Sequence, residues 1–157
     1  MQSKHVSHEI LALLIVATLI LTAVLLYWHS SVKSLNRSVE VLLGERLRLK
    51  YQVKKIQLEA LTTDRAGLWW VVLEDMSQLS SSLNRESVLQ PADGFDQPSY
   101  KEYFREQLSP DVPLGGYQVY RGEALLGPGS ACEDSPCNLA ALIDVNNRNV
   151  FLSISTN

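Results

Sequence analysis

The sequence has few of the residue types from which most enzyme sites are built. Its 157 residues include three histidines, His5, His8 and His29, and all three flank one long apolar stretch. A hydrolase triad, a histidine zinc site and a histidine general base are therefore excluded beyond residue 29. The close carboxylate pairs are adjacent or lie in predicted loops, where a solvated surface explains them: Glu74/Asp75, Asp93/Asp96 and Glu133/Asp134. We predict a protein that is not an enzyme, with no catalytic residue, metal site or cofactor.

Cysteine is equally scarce. Cys132 and Cys137 are the only two, in the segment GPGSACEDSPCN. A disulfide between them would close a short loop and contribute about 2 kcal/mol by restricting the unfolded chain. A redox switch and a metal site are the alternatives, but thioredoxin-like chemistry needs Cys-x-x-Cys at a helix start, and no histidine lies near. We expect a structural disulfide, which indicates an oxidising compartment.

One stretch lacks charge, proline and glycine altogether: residues 10–28, ILALLIVATLILTAVLLYW. As a helix, these nineteen residues span about 28 Å, close to the hydrocarbon thickness of a bilayer. Tyr27 and Trp28 stand where aromatic rings favour the lipid headgroups. The apolar run is longer than the core of a cleaved signal peptide. We predict an uncleaved transmembrane anchor, preceded by a cytoplasmic tail at residues 1–9.

Charge is distributed unevenly along the rest of the chain. Residues 29–66 carry eight Lys/Arg and four Asp/Glu, whereas residues 67–157 carry five and twelve. The acidic C-terminal part argues against nucleic-acid binding, and the basic segment can lie against anionic lipid. The positive-inside count favours a cytoplasmic C-terminal domain, whereas the cysteine pair favours an exported one. Giving the cysteines more weight, we predict a bacterial inner-membrane protein with a periplasmic domain.

Beyond the anchor, residues 29–66 are predicted to form a helical stalk. Apolar residues recur three and four apart, interrupted by Arg46, at Val32, Leu35, Val39, Leu42, Leu49, Val53, Ile56 and Ala60. This spacing predicts a coiled coil with another single-pass protein or with a second copy. Additional apolar residues such as Leu43 and Leu47 broaden the stripe. The alternative is therefore an amphipathic helix that folds back on its own domain.

Residues 67–157 predict a small α+β domain, with helices first and an antiparallel sheet after them. Helical spacing is present at residues 68–84 and 99–108, the second helix stopping at Pro110. A period of two then predicts strands at residues 117–120, 124–126, 139–145 and 150–155, with a short strand at residues 87–90.

Aromatic residues are concentrated in this domain. Six of them form one predicted cluster: Trp69, Trp70, Tyr103, Phe104, Tyr117 and Tyr120. Core packing explains most of them, and the alternative is the lining of a site for a small apolar ligand.

A short tail, one span, a helical stalk and an α+β domain with a cysteine pair resemble the small co-regulators of membrane-bound transcription activators, the ToxS, TcpH and PsaF/MyfF kind. The resemblance covers the whole chain, is architectural and includes no shared motif. It implies a non-catalytic protein whose periplasmic domain binds and stabilises a partner that controls fimbriae or virulence genes.

Two other families share single features with this chain. The stretch RAGLWWVVLEDMSQL resembles the opening helix of PilN-like platform proteins of type IV pilus and type II secretion systems. Glu9 ahead of the apolar run resembles type IV pilins, although the preceding residues KHVSH lack the glycine at which prepilins are cut. These resemblances imply an assembly component of the membrane rather than a regulator.

Overall fold

The chain forms an α+β domain on a long N-terminal helix. A computed structural model describes residues 3–59, 65–108 and 116–156. Its helices are α1, Ser3–Val39, extended by a π-helical segment, Glu40–Arg46, then α2, Leu79–Glu86, and α3, Gln97–Gln107. Its strands are β1, Tyr51–Glu59; β2, Ala66–Leu73; β3, Gln90–Pro91; β4, Gln118–Ala124; β5, Cys137–Asp144; and β6, Asn149–Thr156.

All six strands form one antiparallel sheet in the order β1-β2-β6-β5-β4-β3. The predicted strands at residues 139–145 and 150–155 are confirmed as β5 and β6. The two strands predicted around Gly122 are one strand, β4. Gly122 is needed inside it because the Val88 carbonyl packs over its Cα, and a Cβ atom there would lie 1.8 Å from that oxygen.

Helix α1 has two unlike halves. Every side chain from residue 8 to residue 30 is exposed, and burial begins abruptly at Ser31. The second half crosses one face of the sheet from β2 towards β4: Asn36 contacts Trp69, Ser38 contacts the segment before β5, and Arg46 reaches the residue after β4. The core of the domain therefore begins with α1 itself rather than at residue 67.

The predicted helical stalk is wrong beyond Arg46. The chain leaves the helix through Arg48, whose φ is 54°, and enters strand β1. The heptad spacing there is produced by a β-bulge between Val53 and Lys55, which lengthens one interval between same-face residues from two to three. Ala60, the last predicted heptad position, lies outside the described residues.

The predicted helix at residues 68–84 is also wrong in its first part, which is strand β2. Both faces of β2 carry apolar side chains, with Leu68 turned to one core, Trp69 to the other, and Trp70 partly exposed beside Phe151. A strand that is apolar on both faces reads as a continuous apolar run, so its period of two is hidden. Only the end of the predicted segment is helical, as α2.

The second face of the sheet is covered by α3, which confirms the helix predicted at residues 99–108. Phe104 is fully buried there against Val119, Leu142 and Phe151. The predicted helix stop at Pro110 lies outside the described residues. The short strand predicted at residues 87–90 is displaced to Gln90–Pro91, where it pairs with β4.

Candidate functional site

The residues predicted to bind a partner helix are largely internal. Leu35, Val39, Leu42 and Leu49 are buried in the core between α1 and the sheet, and Val32 packs against that core. Their apolar stripe is covered by the domain of the same chain, as the fold-back alternative expected. Arg46 is half-buried and donates a hydrogen bond to the Leu125 carbonyl at 3.0 Å, so it is not a charge inside a helical seam.

Two of the predicted interface residues remain accessible. Val53 and Ile56 are 44% and 42% exposed, on the face of β1 that continues the α1 side of the sheet. β1 is an edge strand, and no other strand among the described residues pairs with its outer side. Lys54 and Lys55 lie between the two apolar residues. A free nine-residue edge is a surface on which another chain can add a strand.

The first half of α1 is the other large exposed apolar surface. By length and composition, the described chain contains one helix capable of crossing a membrane, and its apolar window has no protein cover. Ser31, the first buried residue, follows Trp28 by three positions, or about 4.5 Å along a helix. No loop intervenes, so the direction of α1 fixes the domain relative to the exposed half.

The sheet separates the predicted aromatic cluster into two groups. Trp69 is buried beneath α1, where its Nε1 donates to Asn36 Oδ1 at 3.1 Å, and Tyr120 packs on that same side. Trp70, Phe104 and Tyr117 lie on the α3 side, where Trp70 and Tyr117 contact Phe151 at ring-centroid distances of 5.7 and 5.6 Å. Tyr103 lies beside Phe104 at the edge of a groove.

These aromatics act mainly as core. A small cavity beside Leu68, Trp70 and Phe151 measures about 70 Å³, far below the 300 Å³ or more usual for a ligand site. Burial raises the pKa of the Tyr117 phenol, and the negative charge of Asp144 adds to the effect. The predicted apolar ligand site therefore has no cavity of adequate size at this position.

The structure contains the predicted disulfide, with the Cα atoms of Cys132 and Cys137 5.3 Å apart. Both cysteines are fully buried, which favours a structural role over a redox role. The loop that they close is joined to α1: Ser38 Oγ accepts a hydrogen bond from the Ala131 N–H at 2.9 Å and lies 3.7 Å from Cys132 Sγ. The sequence gives no signal for this use of Ser38, because a serine inside a helical repeat is ordinarily solvated.

A polar groove of about 830 Å³ lies on the α3 side of the sheet. Its floor consists of two rows of side chains across β4, β5 and β6. Arg121, Ala140 and Ser153 form the first row, and Glu123, Asn138 and Ser155 form the second. The preceding row on the same face is apolar and lies under α3. The groove therefore begins where the helix stops covering the sheet.

Side-chain hydrogen bonds and ion pairs connect the residues that line the groove. Tyr103 Oη lies 3.1 Å from Ser153 Oγ, so the helix wall is tied to the floor. Arg121 makes ion pairs with Asp96 at 2.8 Å and Asp93 at 3.8 Å. The hydrogen bond with Tyr100 is the largest influence that raises the pKa of the Arg121 guanidinium, followed by the charge of Asp96. Of these residues, Tyr103 belongs to the predicted aromatic cluster. Ser153 and Arg121 were not predicted as site residues, because neither serine nor a lone arginine in a strand forms a motif.

Comparison with known proteins gives no relative for this chain. No family model matches it, and no curated protein or solved structure matches it either. Within the part of the chain that the structure describes, no group of three or more His, Cys, Asp or Glu side chains is placed to hold a metal ion.

Proposed function

We propose that this chain is a non-enzymatic, single-pass inner-membrane protein whose periplasmic domain binds and stabilises a partner membrane protein. The observation that supports this function is the continuity of α1, which runs from a bare apolar half directly into the core. A domain fixed in this way stays close to the bilayer surface. Proteins tethered to the same membrane meet it at a high effective concentration, so a second membrane protein is the favoured partner.

The contact surface that we propose is the free edge of β1. An added strand would gain main-chain hydrogen bonds, and Val53 and Ile56, on the same face on either side of the β-bulge, would supply apolar contacts. Lys54 and Lys55 favour a partner segment with acidic residues and disfavour pairing of two identical edges in register. This surface replaces the coiled coil that the heptad spacing predicted.

Among partners, a membrane-bound transcription activator of fimbrial or virulence genes is our first choice. The support is the architectural resemblance to ToxS-like co-regulators, whose combination of one apolar helix and an α+β domain with a cysteine pair agrees with the fold. The PilN-like alternative loses its main local argument, since Trp69 and Trp70 lie in strand β2 rather than in an opening helix.

The test is the lifetime of co-encoded membrane proteins in cells. Deleting this protein should shorten the half-life of its partner, because a partner bound only to the folded state stabilises that state by mass action. The double substitution Val53→Asp and Ile56→Asp should reproduce the loss while leaving the domain folded. Val145→Asp is the matched control, since Val145 is also exposed but lies in the turn after β5, away from the β1 edge.

Normal half-lives of all co-encoded membrane proteins in the deletion strain would remove this function. Orientation is tested separately, by alkaline phosphatase fused after Asn157, which should be active if the domain is periplasmic. An inactive phosphatase fusion with an active β-galactosidase fusion would place the domain in the cytoplasm and overturn the periplasmic assignment.

A second candidate is a subunit of a pilus-like filament. Its support is the combination of Glu9 at the start of the apolar run with a helix that is bare in one half and packed on a sheet in the other. The same halves of other copies could cover such a helix instead of lipid. A carboxylate buried among copies would need a cationic partner. Glu9→Gln should then abolish assembly, whereas in a solitary anchor it should leave partner half-life unchanged.

A further inference from the structure

The polar groove beside α3 has features of a built site. Its two floor rows contain small side chains at Ala140, Ser153 and Ser155, and the longer Arg121 and Glu123 stand at one side. The result is a depression in the sheet rather than a flat face. Ser153 is only 6% exposed, and its hydroxyl lies within hydrogen-bonding distance of Tyr103. The helix wall is therefore joined to the floor of the depression by a side-chain hydrogen bond.

The charges of the groove restrict what can enter it. Among the described residues that line the groove, Arg121 is the only cation, and it makes ion pairs with Asp93 and Asp96. Glu123 adds a further negative charge at the rim. A phosphate, a sulfate or a carboxylate ligand would meet more negative than positive charge, so anions are disfavoured. A purely apolar ligand is disfavoured as well, because it would displace water from the Ser155 hydroxyl and the Glu123 carboxylate.

A neutral ligand rich in hydroxyl groups fits the remaining chemistry. Serine hydroxyls and the asparagine amide can each donate and accept hydrogen bonds, as the hydroxyls of a sugar can. The rings of Tyr100 and Tyr103 form the opposite wall and can cover the apolar face of a sugar ring. The volume of about 830 Å³ is within the range of small-molecule sites and admits more than one ring.

We propose that this groove is a binding site for a neutral saccharide, with Ser153, Ser155 and Asn138 as the polar floor and Tyr100 and Tyr103 as the stacking wall. This site is on the opposite face of the sheet from α1 and does not include the β1 edge. It therefore adds a ligand to the domain without depending on how the domain binds a partner protein.

The experiment uses the full chain in lipid nanodiscs, since maltoside and glucoside detergents are themselves saccharides. Cellobiose, maltose and chitobiose are titrated up to about 10 mM, which covers the millimolar range of weak ligands. Inorganic phosphate and trilysine serve as anionic and cationic comparators. Tyrosine-selective isotope labelling reports Tyr100 and Tyr103 directly in the unmodified protein, independently of any variant.

We expect at least one disaccharide to shift the Tyr100 and Tyr103 resonances and to bind at least tenfold more weakly to Ser155→Leu and to Tyr100→Ala. Ser81→Leu, an exposed serine on α2, is the matched control and should bind as the unmodified protein does. Glu123→Gln should weaken saccharide binding less than Ser155→Leu or Tyr100→Ala does, because glutamine keeps a side-chain oxygen that accepts hydrogen bonds.

Three results would overturn the proposal. The first is that no disaccharide shifts the Tyr100 and Tyr103 resonances. The second is that only trilysine or phosphate shifts them. The third is that Ser155→Leu and Tyr100→Ala, with unchanged thermal unfolding, bind the disaccharide with the affinity of the unmodified protein. If only trilysine binds and Glu123→Gln abolishes that binding, the second of these results assigns the groove to a cation.

Discussion

The two halves of α1 are both rich in leucine and valine, yet they meet different surroundings. The first half has no polar side along residues 10–28 and is exposed throughout. The second half alternates polar and apolar positions, and its apolar side is buried against the sheet of the same chain. A continuous apolar surface requires cover on every side, as lipid provides, whereas a stripe requires cover on one side only. A periodic stripe thus predicts that a cover exists but does not identify it.

The largest expected effect separates the two halves directly. Leu42 is fully buried in the π-helical extension of the packed half. Leu42→Ala should lower the free energy of unfolding of the domain by about 2–5 kcal/mol, because it leaves a cavity where the leucine side chain was. Leu21→Ala, in the exposed half, removes the same atoms and should leave the unfolding of the domain unchanged. Urea unfolding followed by tryptophan fluorescence in micelles measures both variants. If neither Leu42→Ala nor Leu21→Ala changed the free energy of unfolding, Leu42 would not be a core residue of the domain. A partner helix would then again be favoured to cover the apolar stripe.

The disulfide sharpens the comparison, because Ala131 and Cys132, at the start of its loop, contact Ser38 in the second half of α1. Replacing Cys132 and Cys137 with alanine should lower the free energy of unfolding by about 2 kcal/mol, from the greater freedom of the unfolded chain. Without the disulfide, the hydrogen bonds from the Ala131 N–H to Ser38 and Ser34 should open more often than the rest of the domain unfolds. Amide exchange of Ala131 measures this opening. Unchanged exchange and stability would show that the loop is held by packing without the disulfide.

Arg46 tests self-packing against partner packing with a smaller effect. A charge inside a coiled-coil seam would be unfavourable, so Arg46→Leu should then tighten association with a partner helix. In the structure its guanidinium donates to the Leu125 carbonyl, and we expect the same substitution to destabilise the domain by about 1 kcal/mol with no gain in association. Urea unfolding and cross-linking yield distinguish the outcomes. A stabilised protein with increased cross-linking would restore the coiled coil.

The sequence predicts best those elements that a local pattern of polar and apolar residues defines. The strands β5 and β6, joined by a short turn after Asp144, and the helix around Phe104 follow from local periodicity. β1 and β2 do not, because a bulge at Lys54 imitates helical spacing and because both faces of β2 carry large apolar side chains, with Trp69 in one core and Trp70 against Phe151 on the other side. The groove is the least predictable feature. Ser153, Arg121 and Tyr103 are brought together by register and by the length of α3, which no local pattern encodes.

The smallest expected effect concerns the end of the packed half, where the π-helical segment gives way to β1. Burial raises the pKa of the Tyr51 phenol, and the negative charge of Glu40 adds to the effect. Since the folded state has the higher pKa, Tyr51 contributes stability that is complete below the unfolded value, near 10, and that is lost as the pH rises through the folded value. The melting temperature should therefore fall above about pH 10. Tyr51→Phe should flatten this fall slightly, and Tyr120→Phe, for a tyrosine packed on the same side of the sheet, is the control. Identical pH profiles for Tyr51→Phe and the unmodified protein would mean that burial does not raise the pKa of the Tyr51 phenol in the folded domain.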